Sequence, residues 1–443
     1  MSKSNFFGGL IKTNPTLPTA NSSSAYGTAS GVWNLEEAAA FRKAGDWPIP
    51  ASVPSAPSIG SVTAGIEQVT VAFSAGSNGG LDITSFTATA SSGETASGSS
   101  SPLTVTSLAA GTAITFTVTA TNVVGTSSAS SASSSVTPNA AARGLFMGGY
   151  SSGSDDVIQY ITITSTGNAT DFGDLTHNNY YAQTLSSDTR AINAGGVPTG
   201  GDYDRIEYVT IASTGNAADF GNLSKSSRYY GAGAANSTRG MILGGYNANT
   251  GSAESVSEYI TIASLGTNGT DFSNSTGQSY YKAAVASPTR VVVGTGTSFS
   301  RTLVYHTISS AGDGFDFGFL VGGDSTYGKN EYTGCNSNVR GLFALGRKGS
   351  TYYKDIDYIT IACTGNGTDF GDLTNGYIYS AATASNLRGV FAGGYNASNT
   401  SGTNVMEYVT FASTGNGTDF GDLLGTKFGM GQGVAGSDHG GLQ

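Results

Sequence analysis

Between Tyr408 and Leu423 the chain reads YVTFASTGNGTDFGDL, and between Tyr358 and Leu373 it reads YITIACTGNGTDFGDL. Versions of the phrase also begin at Tyr160, Tyr208, Tyr259 and Tyr305, so successive copies start 48, 51, 46, 53 and 50 residues apart. A group that performs chemistry is needed once, whereas a phrase that builds architecture recurs in every structural unit. Six similar units of about fifty residues must fold alike and stack on their neighbours, because a single unit of that size cannot bury its own apolar faces.

Two further phrases share the period. One is RGLFMGGY at Arg143, repeated in variant form at Arg190, Arg239, Arg290, Arg340 and Arg388. The other is an aromatic-led run before the arginine, as in YYAQTLSSDT, YYGAGAANST, YYKAAVASPT and IYSAATASNL. Each unit thus supplies four strands: a (the aromatic-led run), b (the arginine run), c (the YITI run) and d (TDFGDL). Strand a is rich in Gly, Ala, Ser and Thr, which suits an innermost position where large side chains would clash. Strands b and c are apolar on both faces, as expected for sheets packed between two neighbours. The phenylalanines of strand d (Phe172, Phe220, Phe272, Phe317, Phe370 and Phe420) are expected to wedge between units. The Asp before each is expected to tie the hairpin through side-chain to backbone hydrogen bonds.

The array begins with a strand b at Arg143 and ends with KFGMGQGVAGSDHGGLQ, which aligns with a strand a, His439 standing where the arginine would be. The last strand is therefore expected to complete the first unit and remove exposed edges. The expectation for residues 139–443 is a six-bladed β-propeller in an all-β chain.

Residues 53–138 alternate with period two in QVTVAF, DITSFTATA, PLTVTSL and AITFTVTATN, separated by turn clusters, which is the pattern of a small antiparallel sandwich. Residues 1–52 are different: GVWNLEEAAAFRKAGDWPIP holds one short helix from Leu35 to Ala44, capped by Asn34 and ended by Gly45. Trp33 and Trp47 bracket it. So short a helix needs a docking partner. It serves either as a cap on the neighbouring domain or as an anchor in a larger assembly.

Composition narrows the function classes. The net charge is −10, which repels phosphate backbones and argues against nucleic-acid binding. Charged residues are 11% and Gly numbers 65, a balance favouring turns and strands. The 23 Tyr and 20 Phe supply a core and argue against disorder. Cys335 and Cys363 are the only cysteines and read as free buried thiols. No apolar stretch suits a signal peptide or a membrane span. His177, His306 and His439 fall at different repeat positions, so neither a shared metal nor a Ser-His-Asp triad is expected. No cofactor motif is present.

On these residues the repeat resembles kelch, with its double Gly after a hydrophobic strand, although Phe stands where kelch usually has Trp. Residues 53–138 resemble a fibronectin type III domain, with Phe73 in place of a strand-B Trp and Ile114 in place of the corner Tyr. STGNGTDF resembles the Asp-box of sialidases, with Gly215, Gly365 and Gly415 at the Asp position. In that family the box is structural, and catalysis needs a converging arginine cluster. Here Arg143, Arg190, Arg239, Arg290, Arg340 and Arg388 occur once per unit in one register and read as structural.

The whole layout resembles tailed-bacteriophage virion proteins. That resemblance implies a non-enzymatic tail fibre or capsid decoration, docked to other virion proteins through Trp33 and Trp47 and displayed on the particle surface. It also implies that the propeller attaches to a host-surface glycan or receptor. A sialidase-like glycan hydrolase and a bacterial surface adhesin are the alternatives. The b–c loops vary most between units, and their aromatics Tyr150, Tyr203, Tyr246, Phe299, Tyr352 and Tyr395 are the candidate ligand contacts; the bland alternative is that these loops are merely solvated. A homo-oligomer is compatible with this reading; membrane insertion is not expected.

Overall fold

A computed structural model describes residues 51–431 apart from 66, 110, 139–141, 202, 225–227, 267, 275–279, 295, 297–299 and 322–328. The expected helix at Leu35–Ala44, Trp33, Trp47, Phe299 and His439 lie outside the described residues. Among those described, every regular element is a strand, and all the sheets are small and antiparallel. The chain divides into two compact units, Met1–Ala140 and Ala141–Gln443.

The described part of the first unit has two sheets. One pairs Ser58–Gly65 with Gln68–Ser74 and the latter with Leu103–Thr106. The other orders Thr95–Gly98, Ser85–Ala90, Phe116–Asn122 and Gly125–Thr126. Alternate residues Val69, Val71, Val105, Phe116 and Val118 are fully buried between them, as the period-two pattern requires. Phe73 fills its place by packing on Phe86, with ring centroids 4.9 Å apart. Beyond Thr126 the chain continues along Phe116–Asn122 in an unusual way. Ser127, Ser130 and Ser133 donate their amides to the carbonyls of Ala120, Val118 and Phe116. Their hydroxyls accept from the amides of the same three residues, each at 3.0 Å. A spacing of three thus matches a strand of spacing two, because each serine supplies its own acceptor.

The described part of the second unit holds six sheets of three to five strands in chain order, besides the two-stranded hairpin of Arg347–Lys348 and Thr351–Tyr352. Sheet one has Arg143–Tyr150 (b), Ser154–Thr162 (c) and Thr170–Asp174 (d). Sheet two has Gln183–Ser186, Arg190–Ala194, Arg205–Thr210 and Ala218–Asn222 as a to d. Sheet three has Ala232–Ala235, Arg239–Asn247, Ser252–Thr261 and Thr270–Asn274, with Arg228–Tyr229 added beside b. Sheet four has Ala283–Ala286, Arg290–Gly294, Thr302–Thr307 and Phe315–Phe319. Sheet five has Thr333–Asn336, Arg340–Ala344, Asp355–Thr360 and Thr368–Asp372. Sheet six has Ala381–Ala384, Arg388–Ala392, Thr403–Thr410 and Thr418–Lys427.

Packing between these sheets explains the repeated phrase. In sheet two the turn Thr214–Gly215–Asn216 lies on strand d of sheet one. Gly215 donates its amide to the Phe172 carbonyl at 2.7 Å, and Asn216 Oδ1 accepts from the Asp174 amide at 3.1 Å. Gly173, at φ 147°, leaves room for the Gly215 carbonyl, with which any Cβ there would collide. So TGN clips onto the DFG of the preceding sheet, and the two halves of the phrase fit each other in this way at five junctions. The side chain that ties the junction is this Asn of the following sheet, not the Asp before Phe. Asn268, Asn366, Asn416 and Asn168 repeat the bond for the amides of Asn222, Phe319, Asp372 and Asp422.

The last of these joins sheet six to sheet one. Gly167 and Ala169 of sheet one donate to the carbonyls of Phe420 and Asp422 at 2.7 and 2.8 Å. After strand d of sheet six, Phe428 pairs with Tyr150, and Gly431 donates to Met147. Lys427 forms an ion pair with Asp155 of sheet one. Sequence-distant residues thereby pack together, and Phe146, Ile161, Val390, Phe420 and Met430 share one buried cluster. The strand-d phenylalanines lie in such clusters; Phe172 packs with Ala191, Val209 and Ile211 of the next sheet.

Candidate functional site

The six repeat arginines share one register. Each guanidinium lies 4.2–5.1 Å from the centre of the strand-c tyrosine in its own sheet. Each also donates Nη1 to carbonyls at the end of strand c in the following sheet. Arg190 reaches Ile262 at 2.7 Å, Arg239 Ile308 at 2.6 Å, Arg290 Ala362 at 2.7 Å and Arg340 Phe411 at 2.6 Å. Arg143 reaches Ala212 at 2.9 Å, and Arg388 of sheet six reaches Thr164 of sheet one at 3.1 Å. The six are spread around the junctions and committed to stacking and carbonyls.

Buried acids form a second set that the sequence reading did not single out. They occupy the position just before the strand-c tyrosine. Glu207 accepts from the Thr176 amide at 2.8 Å and Glu258 from the Ser224 amide at 2.8 Å. Glu407 accepts from the Thr374 amide and hydroxyl at 3.0 and 2.6 Å. Gln159 does the same for Leu424 at 2.8 Å. Each side chain holds a backbone amide of the preceding sheet, so these residues serve structure.

The third set lies where strand a begins. The small residues of the aromatic-led strand a were expected to suit an innermost position, where large side chains would clash. Instead Tyr181, Tyr230, Tyr281, Glu331, Tyr379 and Gly429 occupy one repeat position, all with φ between 57° and 64°. The left-handed backbone turns the side chains toward one another. Tyr181 and Tyr230 lie 4.2 Å apart, Tyr230 and Tyr281 4.4 Å, and Tyr181 and Tyr379 4.9 Å. The backbone links up too: Gly429 donates to Tyr379, Tyr181 to Gly429, Tyr230 to Tyr181 and Tyr281 to Tyr230. Six rings would not fit, and the exceptions show it: a Cβ on Gly429 would stand 2.6 Å from the Tyr181 ring. Glu331 is buried and accepts from the Tyr379 hydroxyl at 2.8 Å and from Arg347 Nη2 at 3.0 Å. Burial pushes the hydroxyls of Tyr181, Tyr230, Tyr281 and Tyr379 well above the ordinary tyrosine range, so the cluster is uncharged at neutral pH apart from the Glu331–Arg347 pair.

Around this plug stands a half-buried collar. Tyr150 lies 5.3 Å from both Tyr180 and Phe428, and Phe428 lies 5.5 Å from Tyr395. Tyr246 lies 5.4 Å from Tyr229 and 5.3 Å from Tyr280. Of the loop candidates, Tyr150, Tyr246 and Tyr395 are thus brought against strand-a aromatics. Tyr203 stands close enough to Tyr180 and Tyr229 to oppose their ionisation. Tyr352 is separate, in a small hairpin where it pairs with Arg347. The leading aromatics Tyr180, Tyr229 and Tyr280 were legible as part of strand a but not as part of a surface.

Elsewhere, His177 Nδ1 faces the Thr176 hydroxyl at 2.9 Å and Glu207 at 3.5 Å, while Nε2 is buried without a partner. One nitrogen serving both neighbours cannot relay a proton across the ring. Cys335 is buried, but Cys363 is exposed, because it sits in the turn between strands c and d. Among the described residues, no three His, Cys, Asp or Glu gather as a metal site. The chain matches no protein-family model and none of the curated proteins with which it was compared.

Proposed function

We propose that Ala141–Gln443 is a six-bladed, kelch-like β-propeller that binds a ligand without transforming it. The Met1–Ala140 unit then carries a fibronectin type III-like spacer, and the whole serves as a tail fibre or head decoration on a bacteriophage particle. The cycle of junctions from sheet six back to sheet one supports the propeller. The order of strands in the two-sheet unit supports the spacer. The resemblance of the layout, with Trp33 and Trp47 in an N-terminal docking segment, supports the virion.

The single observation that carries the binding role is the aromatic collar. Tyr150, Tyr180, Tyr229, Tyr246, Tyr280 and Tyr395, backed by the buried Phe428, offer ring faces and hydroxyls without a nearby proton relay. Such a surface stacks on the apolar faces of sugar rings and hydrogen-bonds their hydroxyls. The acidic balance of the chain disfavours anionic polysaccharides, so the occupant is a neutral glycan of the host surface.

The test is retention of the full-length chain on host cells and on their purified surface glycans. Tyr246→Ala and Tyr150→Ala are expected to weaken binding about tenfold each, about 1.4 kcal/mol, as truncating an aromatic contact residue does. Unchanged binding in both variants, or release of sugar from the glycan by the unmodified chain, would overturn the reading.

A further inference from the structure

The junctions are not alike. Sheet four should clip onto sheet three through Gly312 and Asp313, which stand where Gly215 and Asn216 stand in sheet two. No bond from the Gly312 amide to Phe272 and none from Asp313 to strand d of sheet three occurs among the described residues. The cause is one residue. Ser273 replaces the glycine of DFG, and at the matching Gly173 a Cβ would collide with the carbonyl of the incoming turn. The buried acid is missing as well: Val304 takes the place of Glu207, Glu258 and Glu407. Sheets three and four are still joined by the Arg239 bond to Ile308, the Asn236 side-chain amide on the Pro288 carbonyl, the Tyr281 and Lys282 amides on the Tyr230 carbonyl, and an apolar cluster with Met241, Val291 and Val304.

Into this weakened junction the sequence places a histidine. His306 occupies the position of Ile161, Ile260 and Ile359, is 1% exposed, and meets Phe272 of sheet three edge to face at 6.0 Å. Its Nε2 has no partner, and Nδ1 stands 3.4 Å from the Gly312 carbonyl. The charged groups around it are Lys282, just before strand a, and Asp313 of the turn. Behind Lys282, on the sheet-three side, stand Arg228 with Glu258, Glu254 and Asp271. Lys282 is itself fully buried beneath Gly244 of sheet three.

We propose that the junction between sheets three and four is a pH-operated gate, the point at which the closed array opens when His306 takes up a proton. The proposal rests on the six-sheet reading. Burial, with Lys282 nearby, holds His306 below the ordinary histidine range, Asp313 and the Gly312 carbonyl opposing. The neutral form is therefore the one that fits. Its contribution is intact above about pH 6.5 and is lost as pH falls through the lower value of the folded protein. Lys282, pulled down to about 7, changes charge earlier and leaves a cation beside the ring as acidification proceeds. At every other junction, opening must also break the TGN clip; here it need not.

Hydrogen exchange of the full chain at pH 7.5 and pH 5.0, corrected for the intrinsic rates, tests this. Peptides covering Thr270–Asn274 and Thr302–Thr307 are expected to lose protection at least tenfold at pH 5.0. Those covering Thr368–Asp372 and Thr403–Thr410 should change little. His306→Ile, which restores the residue of sheets one, three and five, is expected to abolish the difference, and Ser273→Gly to reduce it by allowing the clip. Equal loss at all junctions, no loss at this one, or an unchanged loss in both variants would overturn the proposal. A crystal structure at pH 7.5 separates the two readings: an array without the six-to-one junction there counts against the ring, whereas a closed ring that stays equally protected at pH 5.0 counts against the gate alone.

Discussion

At Gly173 an added methyl group would strike the Gly215 carbonyl while also straining a backbone at φ 147°. Gly173→Ala is therefore expected to destabilise the second unit by about 1–3 kcal/mol, read as a lower denaturant midpoint with an unchanged slope. The same substitution at Gly365, where nothing lies within 4 Å of the new Cβ, carries only the backbone penalty and should cost less. Arg340→Lys is a second residue-scale prediction. The lysine keeps the charge but loses the flat group that covers Tyr358 and the fixed donor aimed at Phe411, a loss of about 1 kcal/mol. Chemical denaturation monitored by tyrosine fluorescence would measure it.

At the scale of elements, the cluster at the start of strand a makes the fold sensitive to alkali. An acid whose affinity for its proton rises on folding stabilises the fold below its unfolded pKa, and that contribution is lost as pH rises through the folded value. Tyr181, Tyr230, Tyr281 and Tyr379 all have this sign. Stability should hold up to about pH 10 and then fall, and the phenolate absorbance of these four residues should appear together with unfolding rather than before it. Glu407→Ala should cost about 1–3 kcal/mol by leaving the Thr374 amide and hydroxyl without their acceptor, measured by the same denaturation. These elements also show what the sequence could and could not disclose. The strands were legible because period, apolar alternation and turn residues agree within each copy. The partner of each phrase was not, because TGN and DFG fit one another only across neighbouring sheets. Strand a misled by its composition: its small residues are real, but the aromatic ahead of them takes a left-handed backbone that no periodicity reveals. The serine ladder at Ser127, Ser130 and Ser133 was hidden for a similar reason, since side chains there replace the backbone carbonyls that define a strand.

In the whole molecule, the two ends of the array meet at sheet one. Strand b of sheet one has no preceding strand a in sequence, and its free edge takes the residues that follow Lys427. Removing residues 428–443 is accordingly expected to lower the melting temperature of the whole second unit, not of sheet one alone, because both neighbouring junctions lose Met430 or Gly429 contacts. The measurement that bears most directly on closure is the number of sectors seen when averaged particle images of the intact chain are viewed along the axis of the array. Six sectors in an unbroken ring, with the sixth abutting the first, is the predicted result; five, seven or an open arc would contradict it.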